Sequence, residues 1–159
     1  MKTMKPVIAF TLLIFIFLLP ACKKDDSSQA EKDEETIQTF LKSNNLTNQA
    51  KSTGSGLYYV IEKEGFGAFP TPGVTVIIHY KGTLLEDGAI FDSSYERGSP
   101  ATIALNNTIK GWQEGVPLFK RGGKGMLIIP SALAYGASGK DIIPPNAVLL
   151  FEIELIDFI

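Results

Sequence analysis

From residue 57 onward, apolar and polar positions follow the two-residue repeat of β-strands that bury one face. The alternation is most regular between residues 148 and 158, where Phe151, Ile153 and Leu155 are separated by glutamates. Shorter runs of aliphatic and β-branched residues predict further strands at residues 57–63, 74–80, 101–105 and 126–129. The acidic stretch 86–88, which ends in glycine, lies between apolar runs and favours a β-hairpin turn.

A helical repeat replaces this pattern near the start of the chain. Ile37, Phe40 and Leu41 form one narrow apolar stripe, which predicts a short helix over residues 34–44 with Asp33 as its N-cap. Because the stripe is narrow, we expect this helix to dock on the main domain and not to build a core of its own.

A second helical pattern, at residues 108–114, interrupts the β region and is bounded by Pro117. The strand predictions show no regular alternation of strand and helix, which would indicate a parallel sheet. The sequence therefore predicts an α+β fold, an antiparallel sheet of about five strands wrapped around one short helix.

The first residues have the features of a targeting segment. Lys2 and Lys5 precede the apolar residues 6–19, a run shorter than the roughly 20 residues that a membrane-spanning helix needs. The run ends in Leu-Pro-Ala-Cys and resembles a bacterial lipoprotein signal, in which Cys22 would carry the lipid. An ordinary secretory signal with an incidental cysteine is the alternative.

Composition then divides the rest of the chain. Residues 22–32 are charged and almost free of apolar groups, so we expect a lipidated cysteine followed by a flexible tether. Residues 33–55 would hold the short helix and a linker, and residues 56–159 the main domain, which we expect to fold alone. Lys23 and Lys24 after the cysteine favour the outer membrane, on its periplasmic face or at the cell surface.

Charge and rare residues exclude several classes of function. The 15 basic and 17 acidic residues give a net charge of −2, which does not indicate a nucleic-acid surface. The single cysteine excludes internal disulfides and thiolate metal clusters, and the single histidine makes a multi-histidine metal site or a Ser/His triad hard to build. We therefore expect no metal and no cofactor.

Familiar catalytic patterns are also missing. The glycine-rich stretch 121–125 lacks the spacing of a phosphate-binding loop and is interpreted as a turn. His79 lies in a predicted strand on the face opposite Tyr80, so it is interpreted as structural. Glu86 and Asp87 are interpreted as exposed turn residues.

What remains is a set of aromatic and aliphatic residues beside turns, arranged in a known order. The motifs are IHYKG at 78–82, DG at 87–88, FDSS at 91–94, IKGW at 109–112, EG at 114–115, AYG at 134–136, IIPPNA at 142–147 and LFEIEL at 150–155. This order resembles the FKBP-type peptidyl-prolyl cis-trans isomerases over residues 56–159, here in a bacterial lipoprotein form. The resemblance implies a half-barrel sheet with a proline pocket between sheet and helix.

The resemblance also implies roles for individual residues of that pocket. Trp112 would form its floor, and Tyr80, Phe91 and Phe151 would form its walls. Asp92 would be a polar group in one wall.

Two hydrogen-bond donors follow from the same resemblance. Ile109 would offer its backbone N–H to a substrate carbonyl, and Tyr135 would offer its hydroxyl. Three positions depart from the family pattern: the substrate-binding residues Ala101, in place of a common Phe, and Thr108, in place of a Val, and also Lys140, which lies near a loop His of the family. These departures leave substrate preference open.

The implied activity is acceleration of X–Pro rotation in unfolded or partly folded proteins of the cell envelope. Such rotation needs no acid, base or metal, because no covalent bond breaks. The alternative is a binding or chaperone module that keeps the pocket but has little turnover. We expect a monomer that contacts the membrane through its lipid anchor alone.

Overall fold

A seven-stranded antiparallel sheet organises residues 26–159, the part of the chain that this computed structural model describes. The strands are β1 (Lys51–Ser52), β2 (Tyr58–Lys63), β3 (Thr75–Leu84), β4 (Ile90–Ser93), β5 (Ala101–Ala104), β6 (Lys124–Ile129) and β7 (Leu149–Phe158). The helices are α1 (Asp26–Ser43) and α2 (Lys110–Gly115). The α+β prediction of an antiparallel sheet around a short helix is confirmed. The sheet has more than the expected five strands because β1 and β4 are too short to show a repeat.

The strand order is β1-β2-β6-β7-β3-β4, and β5 also pairs with β3. Strands β4 and β5 share one edge of β3, with β5 along residues 75–78 and β4 along residues 81–83. Tyr80 therefore lies at the gap between them. Ser94 closes this gap, because its Oγ accepts from the Tyr80 N–H at 2.8 Å and its own N–H donates to the Tyr80 carbonyl at 2.9 Å.

Helix α2 packs closely against the concave face of the sheet because two of its residues lack side chains. A Cβ atom at Gly111 would lie 2.4 Å from Cγ2 of Ile129, and one at Gly115 would lie 2.6 Å from Cδ2 of Leu127. The close approach buries Trp112, which is 4% exposed, between the helix and the sheet. The fold thus fixes the position of the residue expected at the pocket floor.

Helix α1 begins at Asp26, well before the predicted start at residue 34. From Asp26 onward, the segment predicted as a tether is therefore helical. Asp33 is buried inside the helix instead of capping it. One hydrogen bond stabilises these first turns, because Gln29 donates to the Asp33 carboxylate one turn later, at 2.7 Å.

The apolar stripe of α1 packs on the outer face of the sheet. Ile37 and Leu41 are 0% and 2% exposed and form one cluster with Ile128 and Val148. The helix is thus part of the folded body, which differs from the expected domain boundary at residue 56. The predicted linker is also partly ordered, since β1 pairs with β2.

The leader, Cys22 and the two lysines that follow it lie outside the described residues. Within residues 26–159, neither helix combines the length and apolar character that crossing a bilayer would require.

Candidate active site

A cavity of about 500 Å³ opens between the concave face of the sheet and helix α2. Its lining comes from β3, β4, β5, β7, α2, the turn before α2 and the loop after β6. The lining residues are Tyr80, Phe91, Asp92, Ile103, Asn107, Thr108, Ile109, Trp112, Tyr135, Lys140, Asp141, Ile142, Ile143 and Phe151. Eight of the nine residues predicted to contact substrate are among them; Ala101 is not.

The floor and walls of the cavity are one cluster of aromatic rings. Trp112 meets Tyr80 edge to face at a centroid distance of 5.1 Å, and it meets Phe151 in the same way at 5.2 Å. Phe91 extends the cluster, with its centroid 5.5 Å from that of Phe151. Edge-to-face pairs at such distances are attractive, so the rings hold one another in place. A rigid apolar surface results.

A buried indole N–H lies at the base of the cavity. The indole Nε1 of Trp112 is buried, and no acceptor among the described residues lies within hydrogen-bond distance of it. The indole is therefore held by the packing of its ring and by no hydrogen bond to another described residue.

One wall carries a polar network of three side chains. The Tyr80 hydroxyl donates to Asp92 Oδ2 at 2.5 Å. Arg97 donates to Asp92 Oδ1 through Nη1 and to the Tyr80 hydroxyl through Nη2 at 2.8 Å. Its guanidinium also lies 5.4 Å from the centroid of the Tyr80 ring. Arg97 was not among the predicted site residues, because it follows β4 in a loop that has no sequence repeat.

The network changes the acidity of its members. Burial opposes ionisation of Asp92, but the hydrogen bonds from Tyr80 and Arg97 outweigh it, so the pKa of Asp92 lies below its usual value. Burial, together with the bond to the Asp92 carboxylate, raises the pKa of Tyr80. At neutral pH the wall therefore contains a carboxylate, a guanidinium and a neutral phenol.

The donors of the lining that have no acceptor among the described residues include the two that were predicted to contact substrate. One is the backbone N–H of Ile109, the residue that precedes α2, and the other is the hydroxyl of Tyr135. The Tyr135 ring lies 5.4 Å from the Lys140 ammonium, which places that lysine at the rim. Both donors border the cavity and are available to a bound molecule.

Thr108 and Ala101 differ in their placement. Thr108 lines the cavity, although its hydroxyl donates to the Leu105 carbonyl at 2.6 Å and so stabilises the turn before α2. Ala101 packs at the edge of the core and does not line the cavity. Ile103, on the same strand, lines the cavity instead. Alternation along β5 could have indicated Ile103, since it lies on the same face two residues later. Ile143 was missed because its loop has no repeat.

His79 lies on the opposite face of β3, as its position predicts. Its ring stacks on Tyr95 at a centroid distance of 4.6 Å, and its Nδ1 lies 2.9 Å from the Ser94 hydroxyl. Within residues 26–159, no cluster of three His, Cys, Asp or Glu side chains could hold a metal ion.

Comparison with known sequences identifies relatives. A profile of the FKBP-type peptidyl-prolyl cis-trans isomerases matches residues 67–156. The FKBP-type peptidyl-prolyl cis-trans isomerase FkpA of Aeromonas hydrophila is 48% identical over 140 residues, covering 84% of this chain and 52% of that protein. FkpA of Escherichia coli K12 is 42% identical over 135 residues, covering 85% and 48%. The chain spans about half the length of these curated relatives.

Solved structures agree with this assignment. The crystal structure of FkpA from Escherichia coli superposes with a TM-score of 0.72 at 40% identity, covering 82% of this chain and 61% of that one. A peptidyl-prolyl cis-trans isomerase from Pseudomonas syringae superposes with a TM-score of 0.69 at 34% identity, covering 81% and 95%. The resemblance inferred from the motifs is confirmed, and the chain belongs to the FKBP-type peptidyl-prolyl cis-trans isomerase family.

Proposed function

We propose that this chain accelerates cis-trans isomerisation of X–Pro bonds in proteins of the cell envelope, and that the aromatic cavity is its active site. The observation that carries the proposal is the pairing of an aromatic floor with the N–H of Ile109 and the hydroxyl of Tyr135 at its border. A proline ring is apolar and fits such a floor, while the peptide carbonyls beside it need donors.

The cavity favours rotation through desolvation. The planar X–Pro amide is stabilised by resonance, and the barrier to its rotation is about 18–20 kcal/mol. Resonance makes the planar amide more dipolar than the twisted one. A surface of aromatic rings therefore stabilises the twisted form relative to the planar form. No bond is made or broken in this step.

The donors add an orienting effect. The N–H of Ile109 and the hydroxyl of Tyr135 can hold carbonyls on either side of the rotating bond. Once these flanking groups are fixed, part of the entropy of reaching the twisted geometry is lost on binding and not during rotation. The bound substrate therefore loses less conformational entropy when the X–Pro bond rotates.

The polar wall supplies a fixed field beside the rotating amide. Asp92, Tyr80 and Arg97 are held by mutual hydrogen bonds, so their dipoles do not reorient during the reaction. This role requires no proton transfer. It also explains why a carboxylate with a lowered pKa is suitable, since it stays ionised throughout.

The cellular part of the proposal rests on the leader. The sole cysteine, at position 22, follows an apolar run at the distance expected of a lipoprotein signal. We infer a lipid anchor at Cys22, attachment to the outer membrane, and substrates among unfolded envelope proteins. The proposed enzyme acts as a monomer and contacts the membrane through the anchor.

The alternative is a module that binds proline peptides with little turnover, and Thr108 and Lys140 at the cavity are the observations that favour it. The two functions separate in one experiment on the full chain, purified in mild detergent. Exchange NMR on a short X–Pro peptide measures isomerisation, and calorimetry measures binding; the same peptide with Ala in place of Pro is the control. Accelerated exchange supports the enzyme. Binding without acceleration would establish the module instead.

A further inference from the structure

A buried carboxylate outside the cavity holds the loop that carries Tyr135. Asp33 lies in the middle of α1 and is 3% exposed. Its Oδ2 accepts a hydrogen bond from the Ser131 backbone N–H at 2.8 Å and another from the Ser131 hydroxyl at 2.6 Å. Its Oδ1 accepts a third from Gln29 at 2.7 Å. Asp33 and Ser131 are 98 residues apart in sequence.

Hydrogen bonds, and no ion pair among the described residues, stabilise the carboxylate of Asp33. Removing a carboxylate from water is costly, and none of the ion pairs found among the described residues includes Asp33. The stripe that continues from it along α1 is apolar, with Ile37 one turn later packed on Ile128. A hydrophobic residue at this position would leave the Ser131 N–H and hydroxyl without this acceptor. The carboxylate thus provides a fixed point for Ser131.

Ser131 is the start of the path to Tyr135. The 3₁₀ turn Ser131–Leu133 follows β6 and leads within two residues to Tyr135. On the far side of Tyr135, the carbonyl of Gly136 accepts a hydrogen bond from the Asn146 N–H at 2.8 Å. No strand of the described sheet includes this segment, so its backbone is held by such individual bonds. Hydrogen bonds therefore hold the backbone on both sides of Tyr135, at Ser131 by Asp33 and at Gly136 by Asn146.

Given the proposed function, we propose that Asp33 is a positioning residue for isomerisation. By holding Ser131, its carboxylate fixes the turn that places the Tyr135 hydroxyl at the cavity. Asp33 lies outside residues 67–156, the part matched by the family profile. Helix α1 is thus a component of the active-site geometry and does more than cover the sheet.

A double-mutant cycle on the full chain tests this role. Asp33→Ala should lower kcat/KM for an X–Pro peptide by no more than Tyr135→Phe does, a loss of up to about tenfold for one net hydrogen bond. In the Tyr135→Phe background, Asp33→Ala should cause no further loss, because the group that it positions is already absent. Equal losses in both backgrounds would overturn the proposal. So would full activity of a folded Asp33→Ala variant.

Three variants serve as controls. Asp33→Asn keeps an oxygen for Ser131 and should restore part of the activity. Glu34→Gln changes the neighbouring carboxylate, which accepts from Tyr58 at 2.7 Å and not from the loop, and should leave kcat/KM unchanged. If Asp33→Ala does not fold, Ser131→Ala removes one of the two bonds and should show the same dependence on the Tyr135 background. Losses that are independent of that background would contradict the proposal.

A readout besides activity separates this proposal from the proposed function. Hydrogen–deuterium exchange should accelerate over residues 131–138 in Asp33→Ala, and in Glu34→Gln it should not. A wild-type chain without isomerase activity would overturn the proposed function, and the exchange result would then decide whether Asp33 holds the turn. Unchanged exchange over this segment in Asp33→Ala would overturn the positioning role in either case.

Discussion

Tyr80 and His79 are neighbours in β3, yet their side chains enter unrelated environments. Tyr80 faces the cavity and bonds to Asp92, whereas His79 stacks on Tyr95 on the outer face. Successive side chains of a strand point to opposite faces, so alternation alone could assign the histidine to the outer face. At the scale of single residues, the pattern therefore separates structural from cavity residues wherever a strand is long enough.

We expect Tyr135→Phe to lower the isomerisation rate by about tenfold, because it removes one donor with a net value of ~0.5–1.5 kcal/mol. Exchange NMR on an X–Pro peptide measures the rate. Tyr95→Phe makes the same chemical change outside the cavity and should leave the rate unchanged. A loss of many orders of magnitude in Tyr135→Phe would indicate chemistry other than hydrogen-bond positioning.

Asp92 should contribute to stability in a pH-dependent way. Its pKa is lowered in the folded state, so its contribution is present above the unfolded-state value of about 3.9 and is lost as pH falls through the folded-state value. The difference in unfolding free energy between wild type and Asp92→Asn should therefore shrink between pH 7 and pH 3, as measured by urea titration. Glu86→Gln, at an exposed turn, should show no such trend. A constant difference would contradict this assignment.

The rate itself should be flat between about pH 6 and 8. The raised pKa of Tyr80 means that its hydroxyl keeps its proton, and its contribution to stability is lost only as pH rises through the folded-state value above about 10. Neither Asp92, with its lowered pKa, nor Tyr80, with its raised pKa, changes its protonation state near neutral pH. A bell-shaped profile centred in this range would point to an acid–base pair instead.

Helix α1 illustrates what the sequence did and did not predict at the scale of elements. Its stripe of Ile37 and Leu41 correctly predicted a helix that docks on the main domain. Its first turns contain no apolar residue larger than Ala30, and the bond from Ser131 to Asp33 joins residues far apart in sequence. A local sequence pattern cannot predict a contact between residues that lie so far apart in the chain. Arg97 and Ile143 were missed for the same reason, as both lie in loops.

The buried stripe revises the expectation that residues 56–159 fold without any contribution from helix α1. Ile37→Ala should lower the free energy of unfolding by about 2–5 kcal/mol, because it leaves a cavity against Ile128. Thr39→Ala, on the exposed face of the same helix, should change it by less than about 0.5 kcal/mol. Urea unfolding measures both. Equal effects would mean that α1 contributes little to the folded body.

At the scale of the whole molecule, the position of α1 bears on membrane attachment. The helix begins at Asp26, and the residues that join it to Cys22 can span at most about 15 Å. A lipid on Cys22 would therefore hold the folded body close to the bilayer surface. Access to substrates would depend on which way the cavity faces.

Cys22→Ser should release the protein from the membrane fraction if that cysteine carries the lipid. The folded body should be unaffected, with unchanged thermal unfolding and isomerase activity. Cell fractionation followed by mass spectrometry of the mature N-terminus gives the answer. Retention in the membrane, with a mature N-terminus at another residue, would contradict lipidation at Cys22.

The polar wall has one more consequence, which concerns how substrates arrive. Asp92 is neutralised by Arg97, and at the rim the positive Lys140 is followed by the negative Asp141. Balanced charges produce little long-range field, so they neither attract nor repel an approaching chain. Capture then depends on contact with the aromatic floor and changes little with ionic strength. If the proposed function holds, a cavity balanced in this way would accept acidic and basic substrate segments alike.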